Sequence, residues 1–231
     1  MRIVSVNQFY LNFFYYRFVT LIFIENMIKP QHSELHSWLL NAYIGFILKS
    51  DFSKIIITGN LKPDNRSVLL IPNHFSWWDG FFAWYLNENL FKKKYHVMML
   101  EQELAKRMFF SRIGAFSINL GSRSMVESLN FCSQVLSNPS NLLLMFPQGK
   151  LTSQYHSEVI FRKGVERILN QTPNTRVIFA ACLTDYYASR RPSLTIALKE
   201  YNGGHGIDEI EEAYNIHYRD SILNQDNLYV I

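Results

Sequence analysis

The sequence predicts an α/β fold with a mostly parallel central sheet flanked by helices. From Ile55 onward, short apolar runs alternate with stretches of helical periodicity, which is the pattern of layered α/β domains. Several of these runs are apolar without a break, as expected of strands that are covered on both faces. A chain of 231 residues with 48% apolar residues is long enough to bury the core of one such domain.

The predicted strands and helices alternate, and prolines mark several of their boundaries. The predicted strands are Ile55–Thr58, Val68–Ile71, His96–Leu100, Leu142–Phe146, Val177–Cys182 and Leu194–Leu198. The predicted helices are Trp78–Asn87, Gln102–Ser111, Arg123–Ser137, Arg162–Leu169 and Ile207–Tyr218. Ligands in such folds bind at the carboxyl ends of strands, which directs attention to the residues after Ile71 and Phe146.

Composition narrows the possible partners and excludes some kinds of site. Charged residues make up 18% of the chain and aromatic residues 15%, against about 25% charged residues in ordinary soluble domains. This balance indicates apolar surface that is exposed or placed in lipid. The net charge of +4 suits anionic lipids or acidic cofactors and does not require a nucleic-acid partner. The cysteines, Cys132 and Cys182, exclude a disulfide scaffold and are expected to be reduced core residues in a cytosolic environment.

The N-terminal segment Phe9–Ile24 is an aromatic run with few polar interruptions. It is shorter than the ~20 residues that a spanning helix needs. Arg17 lies near its middle, where an arginine at the bilayer centre costs roughly 2.5–3.5 kcal/mol. We therefore expect this segment to lie in the membrane interface, with its aromatic rings at headgroup level.

A second apolar helix is predicted over Leu35–Lys49. Residues 1–50 are thus expected to form an amphipathic helical membrane-binding element on the cytoplasmic face, peripheral or monotopic, and residues 51–231 the α/β domain. The alternative is that both helices simply pack on the domain core. His32 and His36, four residues apart, are expected on a solvated helix face, because a metal site needs a third ligand.

The first candidate site follows the run Val68–Ile71. Pro72 ends the strand, and Asp79 follows His74 after five residues. Ser76 and Asp79 match a capping box, which returns the carboxylate of Asp79 toward the imidazole. A carboxylate on one ring nitrogen fixes the tautomer and leaves the other nitrogen to accept a proton. The alternative interpretation is a helix cap beside a packed histidine.

The second candidate site follows the run Leu142–Phe146. The chain continues as Pro147-Gln148-Gly149-Lys150, and a further basic segment reads Phe161-Arg162-Lys163-Gly164. Glycine permits an unusual backbone angle or the close approach of a ligand, and the lysines and arginine supply positive charge. The alternative interpretation is an ordinary turn and a solvated helix start.

Three segments in this order, Asn73-His74-x4-Asp79, Phe146-Pro147-Gln148-Gly149 and Phe161-Arg162-Lys163-Gly164, resemble the PlsC-type lysophospholipid acyltransferases. These are the 1-acylglycerol-3-phosphate acyltransferases and their relatives. The resemblance runs from about Ile55 to about Cys182. It implies acyl transfer from acyl-CoA or acyl-carrier protein to a hydroxyl of a membrane lipid, as in phospholipid biosynthesis, with His74 as general base oriented by Asp79. It implies no metal and no cofactor beyond the acyl donor.

The resemblance also implies a set of substrate-binding positions. These are Asn73, Arg123, Phe146, Pro147, Gln148, Gly149, Lys150, Arg162 and Lys163.

The acceptor-binding segments depart from the family pattern. The family has glutamate, threonine and arginine where this chain has Gln148, Lys150 and Leu151, and an arginine where it has Leu120. Arg123 follows three residues after that last position. Because the dyad is intact while the phosphate-binding positions differ, we expect an acceptor other than lysophosphatidate, such as a glycolipid, an amino-acid lipid or another hydroxylated lipid.

Two further functions are consistent with the sequence. One is a non-catalytic peripheral membrane protein on a degenerate acyltransferase fold. The other is a thioester hydrolase in which His74 activates water. Under the acyltransferase reading, the rings of Phe81, Phe82 and Trp84 are candidates to line an acyl tunnel, with core packing as the alternative. The basic run 92–94 is a candidate contact for the acidic acyl donor, acyl-CoA or acyl-carrier protein. The favoured interpretation, however, is that this run is a solubilising surface patch.

Overall fold

The structure, a computed structural model, describes residues 27–119 and 123–228. The predicted interfacial segment Phe9–Ile24 lies outside the described residues, as does Leu120. No helix in the described part of the chain is long and apolar enough to cross a membrane.

The centre of the molecule is a seven-stranded sheet in the order β1-β7-β6-β2-β5-β3-β4. All neighbouring strands are parallel except β6 and β7, which are antiparallel. The strands are β1 Lys54–Thr58, β2 Val68–Pro72, β3 Lys94–Leu100, β4 Ala115–Ile118, β5 Asn141–Leu144, β6 Arg176–Asp185 and β7 Ser193–Tyr201. The predicted mostly parallel α/β fold is confirmed.

Helices cover both faces of this sheet. They are α1 Glu34–Asp51, α2 Asp79–Leu86, α3 Glu101–Lys106, α4 Arg123–Leu136, α5 Gly164–Gln171 and α6 Ile207–Leu223. A π-helical stretch, Asn87–Phe91, follows α2, and 3-10 turns cover Met108–Ile113 and Asp226–Leu228.

Strand β2 shows how the two faces are built. Val68 and Leu70 join a core cluster with buried residues of α1 and α2, while Leu69 and Ile71 join a second cluster with α4, α5 and α6. All four side chains are fully buried. Alternate residues of a strand point to opposite faces, so an unbroken apolar run is what a strand covered on both sides requires.

The structure differs from the predicted elements in three places. Strand β4 was not predicted, because it is only four residues long, contains Ser117, and pairs with a single strand, β3. The helix predicted over Gln102–Ser111 is broken at Arg107, where the backbone leaves helical angles. Strand β5 ends at Leu144 rather than at Phe146, although Met145 still donates a hydrogen bond to the Leu70 carbonyl of β2, and the turn begins at Pro147.

The N-terminal strap, which we define as residues 27–33, lies along β4. Ile28 and Ser117 exchange two hydrogen bonds. His32 precedes α1 and contacts the His96 imidazole, with the two Nε2 atoms 3.2 Å apart. The expectation that His32 lies with His36 on a solvated helix face is therefore wrong, because α1 begins only at Glu34.

Candidate active site

A histidine–aspartate pair lies at the carboxyl end of β2. The His74 Nδ1 and Asp79 Oδ2 atoms are 2.8 Å apart. Asp79 is fully buried, whereas the His74 side chain keeps about 25% of its surface exposed. An Asp79 that accepts from Nδ1–H leaves Nε2 as the unprotonated nitrogen. The predicted pairing of these residues is present in the structure.

The local chain path explains why Asp79 returns to His74. Asp79 is the first residue of α2, and its Oδ2 also accepts hydrogen bonds from the main-chain amides of Phe75 and Ser76. Ser76 Oγ accepts from the amide of Trp78. One half of the predicted capping box is therefore confirmed: the Asp79 carboxylate accepts from the Ser76 amide. In the other half, the Ser76 hydroxyl accepts from the amide of Trp78 instead of that of Asp79.

Two opposing influences act on the Asp79 carboxyl. Burial raises its pKa above the ordinary value, and the hydrogen bonds from His74 and the amides of Ser76 and Phe75 oppose that rise. Its second oxygen, Oδ1, is buried and has no hydrogen-bond partner among the described residues. The hydrogen bonds to Asp79 therefore converge on one oxygen, which is the one that contacts the imidazole.

Phe146 fixes the plane of the imidazole from the neighbouring strand. The rings of His74 and Phe146 are stacked, with centroids 4.0 Å apart and an interplanar angle of 18°. Strands β2 and β5 are adjacent and parallel, so the residues that follow them meet at one edge of the sheet. Phe146, predicted from the resemblance to bind substrate, contacts the general-base candidate itself.

The segment 147–150 forms a turn against His74 and Arg162. Gln148 Oε1 accepts from the His74 amide at 2.8 Å, and Arg162 Nε donates to the Gln148 carbonyl at 3.1 Å. Gly149 has a φ of +63°, and a Cβ there would lie 2.6 Å from Arg162 Nε, so glycine permits the close approach of the arginine. The Gly149 N–H donates to the Phe146 carbonyl, which engages it within the turn.

The predicted binding residues occupy different environments. Pro147 accepts a hydrogen bond from the Arg162 amide, while Lys150, Arg162 and Lys163 are exposed. The side chain of Arg123 lies outside the described part of the structure.

Asn73 ties the dyad to the other neighbour of β2. Its side chain donates to the Cys182 carbonyl and accepts from the Cys182 amide, both at 2.8 Å. Asn73 is 1% exposed. This geometry favours a structural role for Asn73, whose side chain links β2 to β6 directly beside His74.

The other candidates from the sequence do not form hydrogen bonds with His74 or Asp79. Phe81, Phe82 and Trp84 are buried in the core between the sheet, α1 and α2. The basic run 92–94 leads into β3, of which Lys94 is the first residue, and therefore lies at the end of the parallel strands opposite to His74. Cys132 and Cys182 are buried and form no disulfide. Within the described ranges, no group of three or more His, Cys, Asp or Glu side chains is arranged to hold a metal ion.

Thr152 belongs to the site and was not singled out from the sequence. Its amide donates to the His74 carbonyl at 2.9 Å, and its hydroxyl accepts from Gln148 Nε2 at 2.6 Å. A single threonine in a polar loop matches no functional motif, so its place in the site becomes visible only in the structure.

Comparisons with known proteins identify the fold and the family of the chain. The chain superposes on the crystal structure of the 1-acyl-sn-glycerophosphate (LPA) acyltransferase PlsC from Thermotoga maritima with a TM-score of 0.60 and 12% sequence identity. The match covers 84% of this chain and 81% of that chain, so the two share a fold. No curated protein sequence matches significantly. A family model described as Acyltransferase matches residues 54–184. That range is more than half of the sequence and contains both His74 and Asp79, so the chain belongs to the Acyltransferase family.

Proposed function

We propose that this protein transfers a fatty acyl group from an acyl thioester, acyl-CoA or acyl-carrier protein, to a hydroxyl of a membrane lipid. The observation that carries the proposal is the 2.8 Å contact between a partly exposed His74 and a buried Asp79. The pair lies at the carboxyl edge of a parallel sheet, where ligands of such folds bind. The similar structure from Thermotoga maritima is that of an acyltransferase for 1-acyl-sn-glycerophosphate.

The dyad supplies general-base catalysis. His74 Nε2 takes the proton from the acceptor hydroxyl as its oxygen attacks the thioester carbonyl and forms the new C–O bond. When the tetrahedral intermediate collapses, the C–S bond breaks and the imidazolium returns the proton to the leaving thiolate. Asp79 holds the imidazole through Nδ1 and stabilises its cationic form. General-base catalysis of this kind increases the reaction rate by about 10²–10⁴-fold.

The surface beside the dyad suits a substrate that arrives from lipid. Five large apolar side chains of α1 are exposed: Leu35, Trp38, Leu39, Tyr43 and Phe46. They stand 0, 3, 4, 8 and 11 residues from Leu35, offsets that place them on one side of the helix. We define them as the α1 apolar face. An apolar surface of this kind is typical of an interaction site, and we infer that it rests on the membrane interface on the cytoplasmic side.

Aromatic contacts join this face to the active site. Trp77, three residues after His74, is 61% exposed and packs edge-on against Phe81 with ring centroids 4.6 Å apart. Phe81 in turn contacts Tyr43 of α1. We infer that a lipid acceptor held at the α1 apolar face reaches His74 along these rings.

A product assay tests the proposal against its alternatives. The purified protein is incubated with labelled acyl-CoA or acyl-carrier protein and a total lipid extract, and the products are identified by mass spectrometry. Acyl transfer predicts labelled acyl lipid. Labelled free acid formed without an acceptor would identify a thioester hydrolase. Unchanged donor in every combination would favour the non-catalytic membrane protein.

A further inference from the structure

We propose that Gln148 and Thr152 are positioning residues that hold the main chain of His74 in place for proton transfer. This inference rests on the proposed function, because it states how the general base of that site is fixed. It assigns to Gln148 a role different from the acceptor binding that the family resemblance implies.

Three short hydrogen bonds connect the two residues to His74. The His74 amide donates to Gln148 Oε1 at 2.8 Å, Gln148 Nε2 donates to Thr152 Oγ1 at 2.6 Å, and the Thr152 amide donates to the His74 carbonyl at 2.9 Å. We call this closed arrangement the clip. Both main-chain polar groups of the histidine are therefore held by the loop that follows β5.

The clip leaves the Gln148 side chain little capacity for a ligand. Gln148 is 6% exposed. Its carbonyl oxygen faces the His74 amide, and its nitrogen contacts Thr152 Oγ1 and lies 3.5 Å from the His74 carbonyl. Since an amide nitrogen has two hydrogens to donate, both have partners within the protein. The substrate would have to break these contacts in order to bind Gln148.

Because Gln148 is uncharged, it adds no negative charge near the imidazole of His74. The charged groups brought to this corner are Asp79, from α2, and Arg162, whose Nε donates to the Gln148 carbonyl. A glutamate at position 148 would keep an acceptor for the His74 amide and would accept from the Thr152 hydroxyl. It would also add a negative charge near the ring, which favours the protonated imidazole.

The variant Gln148→Met separates positioning from binding, because it keeps the side-chain length and removes the hydrogen bonds. We expect kcat to fall by about 10- to 100-fold, since misplacing a catalytic group has an effect of this size. The KM for the acceptor should stay within about threefold, as expected when an interaction acts on the chemical step alone. An acceptor KM that rises while kcat is unchanged would identify Gln148 as a binding residue and overturn the proposal.

Gln154 provides the matched control. Its side chain donates to the Thr184 carbonyl at 3.3 Å and accepts from the amide and the hydroxyl of Thr184 at 3.4 and 3.1 Å, and it makes no hydrogen bond to His74. Gln154→Met should leave kcat within about twofold of wild type. An equal loss in both variants would show a general packing effect and contradict the proposal.

Conservative variants test the chemistry of the clip. Gln148→Glu should keep kcat at its plateau within about threefold, while the acidic limb of the pH–rate profile moves to higher pH by roughly one unit. Thr152→Val should lower kcat, because valine lacks the hydroxyl that contacts Gln148. Thr152→Ser keeps this hydroxyl and should have a kcat close to that of wild type. An unmoved profile in Gln148→Glu, or no difference between the two Thr152 variants, would count against the proposal.

Amide hydrogen exchange gives a readout that does not depend on turnover. The His74 amide should exchange at least about tenfold faster in Gln148→Met than in wild type, and at the wild-type rate in Gln154→Met. If wild-type protein shows no turnover with any donor and acceptor, the proposed function fails while exchange still tests the clip. Unchanged exchange in Gln148→Met would overturn the clip itself.

Discussion

The imidazole of His74 lies face to face with the phenyl ring of Phe146, with the ring centroids 4.0 Å apart. The face of an aromatic ring carries partial negative charge and attracts a cation. Phe146 is therefore placed to favour the imidazolium that forms when His74 accepts a proton. Asp79 holds the same ring through Nδ1, so both the plane and the edge of the imidazole are fixed by neighbours from different parts of the chain.

Asp79→Asn should separate catalysis from stability. The asparagine oxygen can still accept from the amides that converge on Oδ2, and the buried charge is removed, so the free energy of unfolding should stay within about 1 kcal/mol of wild type. Turnover should fall by about 10²–10⁴-fold, because an amide cannot stabilise the imidazolium as a carboxylate does. Urea unfolding and initial rates measure the two effects.

Ser76→Ala should show the opposite pattern. It removes the cap on Trp78 and should lower the free energy of unfolding by about 1 kcal/mol, with a much smaller change in turnover. An Asp79→Asn variant that lost stability and kept its turnover would mean that Asp79 serves as a helix cap alone.

The sequence predicts the pairing of His74 with Asp79 but not the contacts made by Phe146, Gln148 and Thr152. His74 and Asp79 are only five residues apart, so a single turn of the chain is enough to bring them into contact. The stacking of Phe146 on His74 depends on β2 and β5 being neighbours, although the two residues lie 72 positions apart in the sequence and α4 comes between the two strands. Strand order of this kind is decided by packing on both faces of the sheet, which a single sequence does not reveal.

The α1 apolar face should govern attachment to lipid. Phe46→Glu places a charge on a side chain that is 72% exposed, and binding to vesicles should weaken about tenfold, since an inserted aromatic side chain contributes on the order of 1–2 kcal/mol. Co-sedimentation with anionic vesicles measures the effect. Asn41→Glu adds the same charge to an exposed polar position of the same helix and is the control. Equal binding of Phe46→Glu and wild type would remove α1 from the membrane contact.

Lysophosphatidate should be a poorer acceptor than a phosphate-free hydroxyl lipid. A guanidinium can grip a phosphate with two parallel hydrogen bonds, and Leu151, at one of the family's arginine positions, is an exposed leucine. A competition assay with both lipids measures the preference, and Leu151→Arg should change the rate with the native acceptor by less than about threefold. A clear preference for lysophosphatidate would show that Arg123, Lys150 or Arg162 binds the phosphate instead.

The contact between His32 of the strap and His96 of β3 should make the fold sensitive to acid. Burial, with repulsion from nearby cations, lowers the pKa of His32 and of His96 from 6.5 to about 4. Between these values the unfolded chain takes up protons that the folded chain does not, so the free energy of unfolding falls as the pH drops from about 6.5 to 4. Allowing for the partial exposure of His32, we expect a loss on the order of 1–3 kcal/mol.

Urea unfolding at pH 7 and pH 4.5 measures this loss. His96→Phe keeps an aromatic ring against His32 and should remove about half of the pair's share of the loss. Part of the acid loss should remain in this variant, because burial also lowers the pKa of His217. His156→Phe, at an exposed position, should leave the pH dependence as in wild type. Parallel pH profiles for wild type and His96→Phe would show that the pair is not the source.

The role proposed for His74 is that of the general base in an acyl transfer. Its most direct test is the rate at which purified His74→Ala moves label from the acyl thioester to lipid, measured beside wild type with circular dichroism to confirm the fold. We predict that wild type forms labelled acyl lipid and that the folded variant is slower by about 10²–10⁴-fold. A folded His74→Ala variant with wild-type turnover would contradict the assignment.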